Sequence, residues 1–309
     1  MPELRGADIV IVHSMSRAHA RALRAVPRRS LVVWIGYGYD YWGLLSQQIG
    51  GYWFAKTEAL LAQLALRDTQ LKTMRPHVTS VAHRVNVFSV NPSEVAIVRE
   101  ALPQLRAAYH PLPSFTVEDV FAQGPPEMVG PDVLLGHSAS SDNNHLEVFD
   151  LLHTTLPAEA RLLVPLSYGN ARYADHVEQA GRDMFGDRFV ALRTWMPIAD
   201  YQRQIARCGF VVMNQRRQKA VGNISSALYK GAKVFMQRRN PLVNFFTDLG
   251  AAVFDIDELG TDPIAAWQPL DASQRQLNRD AMVRRFSRAS VVGRIAALEA
   301  LWREHQIRG

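Results

Sequence analysis

The sequence predicts an α/β protein in which parallel sheets are covered by helices, and three observations predict it. Short apolar runs such as 8–13 and 31–35 have the length and composition of buried strands. In the second half of the chain, such runs alternate with helix-like segments, which is typical of a doubly wound sheet. The connections are short, as in βαβ units. A length of 309 residues, 48% of them apolar, is typical of a globular chain with two domains.

The first part of the chain predicts strands separated by a basic helix. Residues 8–13 form a strand, 16–27 form a helix that Pro27 ends, and 31–35 form a second strand. A glycine-hinged loop over 36–40 follows. Further elements predicted here are a helical stretch at about 43–66, a strand near 79–82 and a short strand near 85–89.

Residues 109–131 form the clearest break in the chain, because proline and glycine are concentrated there. The breaking residues are Pro111, Pro113, Gly124, Pro125, Pro126, Gly130 and Pro131. We therefore predict a first domain over 1–123, a second over 124–285 and a C-terminal helix over 286–309. A return of this helix to the first domain is an open alternative.

Beyond the break, strands and helices alternate regularly. Strands are predicted at 132–136, 161–165, 188–192, 209–213, 233–237 and 252–255. Helices are predicted at 143–155, 171–184, 198–207, 223–231 and 241–249, and 273–306 is predicted to form two more. Ligands of doubly wound domains bind at the carboxyl ends of the strands. The loops that follow the strands are therefore the candidate sites.

Composition narrows the classes of protein and partner. A single cysteine, Cys208, excludes a disulfide framework and a zinc site built from several cysteines. The sequence contains neither an 18-residue apolar run nor a signal-peptide pattern at its start, so we expect a cytoplasmic protein. The histidines lack metal-ligand spacing, so no metal is expected.

A net charge of +6 and an isoelectric point near 9.6 suit an anionic partner, either a nucleotide or the anionic inner face of a membrane. No pattern typical of a nucleic-acid-binding fold occurs. The basic residues that stand out in the first part are Arg17, Arg21, Arg24, Arg28 and Arg29.

The loop over 136–145 leaves a predicted strand and enters a helix. Gly136, Ser138 and Asn143 are among its small and polar residues, which keep the backbone accessible beside the unpaired N–H groups of a helix start. The same residue types are ordinary helix caps, and for this loop alone capping is the favoured interpretation. The loop matches neither a GxGxxG fingerprint nor a P-loop, so NAD and Walker-type ATP binding are not predicted.

The loop over 214–225 is the most informative. Arg216, Arg217, Gln218 and Lys219 lie just before a helix that begins near Gly222. Guanidinium groups and unpaired helix N–H groups together form a good pyrophosphate site. A solvated basic loop is the alternative, and the position at a strand's carboxyl end favours the functional interpretation.

Three further candidates are single residues. Tyr168, in a turn over 167–170, has a ring that could stack on a ligand, although Tyr-Gly-Asn is also ordinary turn chemistry. Asn240 precedes Pro241 and is first of all a helix cap. Asp40 lies among the aromatic residues of 34–42, where an acid can have a raised pKa and act as a general base. A helix cap is the equally weighted alternative for Asp40.

Four stretches, taken in order and at their separations, resemble a known family. They are Gly-His-Ser-Ala-Ser-Ser-Asp-Asn-Asn-His-Leu at 136–146, Val-Pro-Leu-Ser-Tyr-Gly at 164–169, Arg-Gln-Lys-Ala-Val-Gly-Asn at 217–223 and Arg-Arg-Asn-Pro at 238–241. Residues 34–40 also resemble the family's Trp-x-x-Gly-x-Asp, with one more residue between Trp and Asp. The family is the TDP-N-acetylfucosamine:lipid II N-acetylfucosaminyltransferases, and the resemblance spans roughly residues 8–255.

This resemblance implies a GT-B fold, with two Rossmann-like domains facing a cleft. The first domain would bind the acceptor and the second the nucleotide sugar, without a metal ion or other cofactor. Family members carry further residues before the position of residue 8, which implies a shortened first domain here. The implied reaction adds 4-acetamido-4,6-dideoxygalactose from a TDP-sugar to a polyprenyl-diphosphate-linked disaccharide in enterobacterial common antigen synthesis.

In that reaction Arg217, with Lys219 or Arg216, would stabilise the departing diphosphate. The N–H groups of Gly222 and Asn223 would add to this stabilisation. The loop departs from the family at Ala220, where the family has glycine, and at Asn223, where it has threonine.

The other implied roles belong to residues on separate loops. Ser138 and Asn143 would position the donor, Tyr168 would contact the base, and Asp40 would accept the proton of the acceptor hydroxyl. Further donor contacts are predicted at Gly136, Gln218 and Asn240. Arg239 stands where the family has an acid. Such departures lie near the expected donor, so they concern the donor's identity and not the type of reaction.

Two alternatives stay open at this stage. One is a GT-B glycosyltransferase with another nucleotide-sugar donor, for example in capsule or O-antigen assembly. The other is a non-catalytic α/β protein that binds a nucleotide without turnover.

Overall fold

The computed structural model describes residues 3–38, 40–42, 51–66, 77–112 and 115–308. The chain divides into two compact units. The first contains Met1–Gly51, Asp68–Ser114 and Arg288–Gly309, and the second contains Tyr52–Arg67 and Phe115–Ser287.

Strands and helices are numbered here in chain order over the described residues. The strands are β1 Ile9–His13, β2 Leu31–Ile35, β3 Val87–Ser89, β4 Ala108–Tyr109, β5 Val133–Leu135, β6 Leu162–Pro165, β7 Phe189–Leu192, β8 Phe210–Met213, β9 Lys233–Met236 and β10 Phe254–Asp255. The α-helices are α1 Arg17–Leu23, α2 Ala55–Gln63, α3 Val95–Ala101, α4 His145–Thr155, α5 Ala171–Phe185, α6 Ile198–Gln204, α7 Val221–Tyr229, α8 Leu242–Asp248, α9 Glu258–Thr261, α10 Pro263–Ala266, α11 Ala272–Phe286 and α12 Arg288–Arg308. Residues 77–81 form one further helical segment.

The first unit is built on a parallel sheet with the strand order β1-β2-β3-β4. Every residue of β2 is buried, as expected of a strand covered on both faces. Helix α12, from the end of the chain, belongs to this unit. Its Leu298 packs with Leu31, Val33 and Val87 of the sheet, and the Arg294 carbonyl lies 2.8 Å from His110 Nε2.

The second unit is built on a parallel sheet with the order β10-β9-β8-β5-β6-β7. Strand β5 lies between β6 and β8, with Val133 opposite Leu162 and Leu135 opposite Val212. The chain therefore builds one half of the sheet outward from β5 and then crosses to β8 to build the other half. This change of direction makes the carboxyl ends of β5 and β8 the topological switch point, where doubly wound sheets bind ligands.

Apolar side chains cover both faces of the second sheet. On one face, Leu60 and Leu64 of the α2 segment belong to the same buried cluster as Phe149 and Leu152 of α4. A second cluster includes residues of α7, α8 and α11. Helix α2 is therefore part of the second unit, although it lies early in the chain.

Some predicted elements differ from the structure. Residues 79–82 are not a strand: 77–81 are helical and Ala82–Arg84 form a 3-10 turn. Val78, Val81 and Ala82 are buried, and this spacing of three and four residues fits one face of a helix. The helical stretch predicted at 43–66 contains α2, which begins only at Ala55, and residues 43–50 lie outside the described residues.

The unit boundaries also differ from those predicted. The chain joins the second unit at Phe115, before residue 124, because Phe115 stacks on Phe286 with ring centroids 4.9 Å apart and Phe121 is buried in the same core. Within the predicted break, Val117–Phe121 form a π-helical turn and Ala108–Tyr109 form the edge strand β4.

Among the described residues, none of the helices has the length and apolar character needed to cross a membrane.

Candidate donor-binding site at the switch point of the second sheet

Two loops meet where the second sheet changes direction. The first loop, 136–144, follows β5, and the second, 214–220, follows β8. Gly136 has φ +68, and a Cβ there would lie 2.9 Å from Asn143 Oδ1. Glycine is therefore required for the first loop to fold back over its own start. Each loop leads into a helix, α4 or α7, so helix N-termini face this edge.

A buried ion cluster joins the two loops. Asp142 accepts from Arg217 Nε at 2.5 Å and from Lys219 Nζ at 2.9 Å, and Lys219 also donates to Ser140 Oγ at 2.7 Å. Burial alone would raise the pKa of Asp142, but the charges of Arg217 and Lys219 outweigh burial and hold this pKa well below its ordinary value. Asp142 is therefore ionised, and the three ionic side chains together carry one net positive charge.

The two cations differ in exposure. The Arg217 side chain is buried, whereas 22% of the Lys219 side-chain surface is exposed. Arg217 is thus fixed against Asp142, and Lys219 is able to meet a ligand from solvent.

Side-chain amides hold both loops in place. Asn143 Nδ2 donates to the carbonyls of Ser138 at 3.0 Å and Ser140 at 2.8 Å, while Gln215 Nε2 donates to Asn143 Oδ1 at 2.6 Å. Asn240 Nδ2 donates to the carbonyls of Gln215 at 2.9 Å and Arg217 at 3.0 Å. Asn143 and Asn240 therefore organise the loops through their amide groups.

The turn after β6 lies beside the first loop. The Ala139 N–H donates to the Tyr168 carbonyl at 2.8 Å, and Gly169, at φ +120, lies so close to Ala139 that a Cβ would overlap its carbonyl. Tyr168 is 58% exposed, and its ring packs edge-on against His137. Burial and the Lys219 charge lower the pKa of His137 to about 4, so this imidazole is neutral at pH 7.

Trp195 lies in the next loop along the same edge, after β7. Strand β7 pairs with β6, and the Leu166 N–H donates to the Leu192 carbonyl at 2.9 Å. Trp195 is 74% exposed. Tyr168 and Trp195 thus present exposed rings from adjacent strand ends.

Helix α7 begins from a backbone conformation that is unusual for its residue. Ala220 has φ +57, in the left-handed region that favours glycine. This is the position at which the related family has glycine. Gly222 and Asn223 lie in the first turn of α7, where backbone N–H groups lack helical partners.

Asp40 lies in the first unit, after β2, and is 1% exposed. Its carboxylate accepts from the Met15 N–H at 2.9 Å, from Trp34 Nε1 at 2.8 Å and from the Tyr37 N–H at 3.2 Å. Burial raises the pKa of Asp40 to about 6, and these hydrogen bonds only partly oppose the increase. Tyr39, beside it, lies outside the described residues.

The predicted site residues therefore fall into two groups. Asp40 belongs to the first unit, and the others belong to the loops and helix starts at the carboxyl edge of the second sheet: Gly136, Ser138, Asn143, Tyr168, Arg216, Arg217, Gln218, Lys219, Gly222, Asn223 and Asn240. In the described part of the chain, no three His, Cys, Asp or Glu side chains come together as a metal site would require.

Four features of the site have little local signal in the sequence. Asp142 has the pattern of a cap residue, Gln215 is one amide of a polar loop, and Trp195 lies in a connection between two predicted elements. The sequence predicts a helix over the segment that precedes α2, whereas the structure shows an extended segment that contacts both site loops. Its run of aromatic residues, 52–54, was the available signal.

Comparison with known proteins identifies the family. Residues 109–282, more than half of the chain, match the family described as 4-alpha-L-fucosyltransferase glycosyl transferase group 56. The chain belongs to this family. It is a glycosyltransferase, and the predicted family is confirmed.

Solved structures give the fold. Sucrose-phosphate synthase from Thermosynechococcus elongatus matches with a TM-score of 0.67 and 13% identity, over 96% of this chain and 73% of that one. The alpha,alpha-trehalose-phosphate synthase of Burkholderia xenovorans matches with a TM-score of 0.64 and 14% identity, over 97% and 74%. HepE from Anabaena, in complex with UDP-glucose, matches with a TM-score of 0.64 and 13% identity, over 94% and 78%. These neighbours are GT-B glycosyltransferases, and the predicted GT-B fold class is confirmed.

Proposed function

We propose that this glycosyltransferase transfers a deoxy-acetamido sugar from a TDP-sugar to a polyprenyl-diphosphate-linked saccharide in cell-surface polysaccharide synthesis, of the kind that makes enterobacterial common antigen. The Asp142–Arg217–Lys219 cluster at the switch point is the observation that supports the proposal most strongly. It combines a net positive charge with the N-terminus of α7, and together these are suited to a diphosphate.

The chemistry requires stabilisation of the leaving group. The oxygen of the acceptor hydroxyl bonds to the anomeric carbon and loses its proton, while the bond from that carbon to the diphosphate oxygen breaks. Negative charge develops on the departing nucleoside diphosphate. In this proposal Arg217, with Lys219 and Arg216, receives that charge together with the first-turn N–H groups of α7. Asp142 holds Arg217 and Lys219 in place.

The donor's base is assigned to the exposed rings of Tyr168 and Trp195. Both follow strands at the same sheet edge as the cation cluster, and exposed aromatic rings bind a flat base by stacking. Ser138 and Asn143 then lie in the loop between the base and the diphosphate.

The general-base role of Asp40 stays a prediction. A pKa near 6 leaves most of this carboxyl ionised at pH 7, as a general base requires. The three hydrogen bonds that it accepts also make it the organising residue of the loop after β2.

Peripheral association with the inner face of the membrane completes the proposal. Around α1, exposed arginines are concentrated, and the sequence has no acidic residue between Asp8 and Asp40. These arginines are Arg17, Arg21, Arg24, Arg28 and Arg29. We expect binding to anionic vesicles that weakens as salt rises, because salt screens exposed charges. Binding that is insensitive to salt would count against this surface.

A different nucleotide-sugar donor is the second candidate. Ala220 and Asn223 depart from the family pattern at the start of α7, and Arg239 departs from it in the turn after β9. The similar HepE structure holds UDP-glucose. In that case the type of reaction would be the same, and the base and the sugar of the donor would differ.

Thermal unfolding with TDP, UDP or GDP, each with and without magnesium, separates these candidates. A ligand that binds only the folded state adds about 2.7 kcal/mol at 100 times its Kd, which is readily detected. We expect stabilisation by TDP that does not depend on magnesium. Stabilisation by UDP or GDP instead would select the second candidate, and no stabilisation by any of the three would contradict a nucleotide site.

A further inference from the structure

Residues Tyr52–Thr57, hereafter the strap, lie across both site loops. On the first loop, Trp53 Nε1 donates to Ser141 Oγ at 2.9 Å. Asn144 binds the strap backbone twice, because the Phe54 N–H donates to Asn144 Oδ1 at 3.0 Å and Asn144 Nδ2 donates to the Tyr52 carbonyl at 3.0 Å. The strap is thus hydrogen-bonded to the loop that contributes Asp142.

The strap is also anchored beyond the loops. Thr57, which is fully buried, donates to Glu147 of α4 from its backbone N–H at 2.8 Å and from its hydroxyl at 2.7 Å. Leu60 and Leu61, in the helix that continues the strap, are buried in the core shared with α4. This anchoring gives the strap a defined position relative to the first loop.

The aromatic rings of the strap meet the arginines of the second loop. The Arg216 guanidinium lies 3.9 Å from the centroid of the Phe54 ring, and Arg216 Nη1 donates to the Trp53 carbonyl at 3.3 Å. The Arg217 guanidinium lies 5.2 Å from the centroid of the Tyr52 ring. Each arginine of the loop therefore has its own ring, and Tyr52 is buried.

These contacts restrict groups that are otherwise easily reoriented. An arginine side chain has many rotamers, and a planar guanidinium that lies on an aromatic ring loses much of that freedom. Arg217 is held in two ways. Asp142 accepts a hydrogen bond from the edge of its guanidinium, and the Tyr52 ring lies near the guanidinium. The position of the cation cluster thus depends on a segment about 90 residues earlier in the chain than the first loop.

We propose that the strap is a positioning element of the donor site, in which Phe54 and Tyr52 hold Arg216 and Arg217 in the orientation that receives the donor's diphosphate. This inference rests on the proposed function, because it concerns the same diphosphate. The strap residues act through the arginines and are positioning residues, not catalytic ones.

The test compares affinities for TDP and TMP by calorimetric titration in Phe54→Leu and Tyr52→Leu. Leucine preserves apolar bulk and removes the ring face. We expect each variant to bind TDP about two- to fivefold more weakly, as for loss of a cation–ring contact, with TMP affinity unchanged. A purely structural role would lower the thermal stability without changing the ratio of the two affinities. Tyr52→Phe, which retains the ring, should restore the wild-type ratio.

Two controls protect the test against loss of folding. Phe254→Leu removes a ring that lies 4.6 Å from Lys233 Nζ, a cation–ring contact of the same unit outside the two site loops, and should leave the ratio unchanged. In an Arg216→Gln background, Phe54→Leu should cause no further loss of TDP affinity, because the ring then has no guanidinium to position.

The outcomes separate the strap from the proposed function. Wild-type protein that binds TDP, together with folded Phe54→Leu and Tyr52→Leu variants whose TDP-to-TMP ratio equals that of the wild type, would overturn the strap proposal alone. Additive losses in Phe54→Leu and Arg216→Gln would also overturn it. Wild-type protein that binds no nucleoside diphosphate would overturn the proposed function, and the strap proposal with it.

Discussion

Asp40 in the first unit and Asp142 in the second are both buried carboxylates that follow a strand of a parallel sheet, yet their pKa values shift in opposite directions. Asp40 accepts from two backbone N–H groups and an indole, and burial raises its pKa to about 6. Asp142 meets Arg217 and Lys219, which hold its pKa well below the ordinary value. Neutral donors leave a buried acid able to exchange a proton near neutral pH, whereas cations fix it as an anion.

The largest expected effect on stability comes from removing the charge of Asp142. Asp142→Asn removes the counter-ion of buried Arg217, and we expect the free energy of unfolding to fall by about 3–5 kcal/mol. Denaturant unfolding, monitored by circular dichroism, measures this loss of unfolding free energy. The matched control is Asp200→Asn, which breaks an exposed pair with Arg203 and should cost less than about 0.5 kcal/mol. Equal losses in the two variants would contradict the difference drawn between buried and exposed pairs.

The cation on the other side of Asp142 should affect turnover. Lys219→Met removes the partly exposed ammonium, and we expect kcat with the nucleotide-sugar donor to fall by about 10²–10³-fold, equivalent to about 2.7–4 kcal/mol of transition-state stabilisation. Arg182→Met, which removes an exposed cation of α5 paired with Glu178, should retain the wild-type rate. A Lys219→Met enzyme with an undiminished kcat would remove Lys219 from the reaction. Arg217→Ala is the less clean test, because it also leaves Asp142 buried without its arginine.

The pH dependence of stability should distinguish the two aspartates. Protonated Asp40 is favoured in the folded protein, so its contribution is fully present below pH 3.8 and is lost as pH rises through about 6. Between pH 4.5 and 7 this loss amounts to about 2 kcal/mol. Asp142 has a lowered pKa, so its contribution is constant over that range and is lost only as pH falls below about 4.

Asp40→Asn provides the measurement. The difference in unfolding free energy between wild type and Asp40→Asn should change by about 2 kcal/mol from pH 4.5 to pH 7, with the wild type relatively more stable at the lower pH. A difference that is constant with pH would show that Asp40 has an ordinary pKa. Asp40→Asn with undiminished turnover would exclude the general-base role while leaving its role in the loop intact.

The smallest effect concerns the backbone before α7. Ala220→Gly relieves a left-handed conformation, which costs a non-glycine residue about 1–2 kcal/mol, but it also increases the freedom of the unfolded chain. We expect net stabilisation of up to about 1 kcal/mol by thermal unfolding. Ala227→Gly, in the middle of the same helix, should instead be destabilising, by about 1 kcal/mol. Loss of stability in Ala220→Gly would mean that the left-handed geometry carries no strain.

Local sequence pattern predicted most of the strands, but it assigned one segment to the wrong kind of element and missed two others. β2 was predicted with its observed bounds because a continuous apolar run between breakers leaves little choice. Residues 79–82 were predicted wrongly because Val-Thr-Ser-Val-Ala has β-branched residues while its buried positions follow a helical spacing. The short strand β4 and helix α3 went unpredicted, since a two-residue edge strand has almost no pattern of its own.

The site residues were likewise predicted where the signal is local and missed where it depends on the fold. Each of the two site loops was predicted from its own residues. The contact between Asp142 and Lys219 depends on β5 lying beside β8, which is a matter of strand order. Asp142 therefore appeared to be a cap residue and Arg217 a free cation. The strap contacts in the second unit join Trp53 to Ser141 and Arg216 to Phe54, pairs separated by far more residues than any local motif spans.

A calorimetric titration of TDP and TMP into wild-type and Lys219→Met protein, at one fixed ionic strength, tests the assignment of the donor's diphosphate to the switch point of the second sheet. We expect the wild type to bind TDP more tightly than TMP by about tenfold, or about 1.4 kcal/mol, and Lys219→Met to lose most of that preference. An equal preference for TDP in the folded variant would place the diphosphate elsewhere and contradict the assignment.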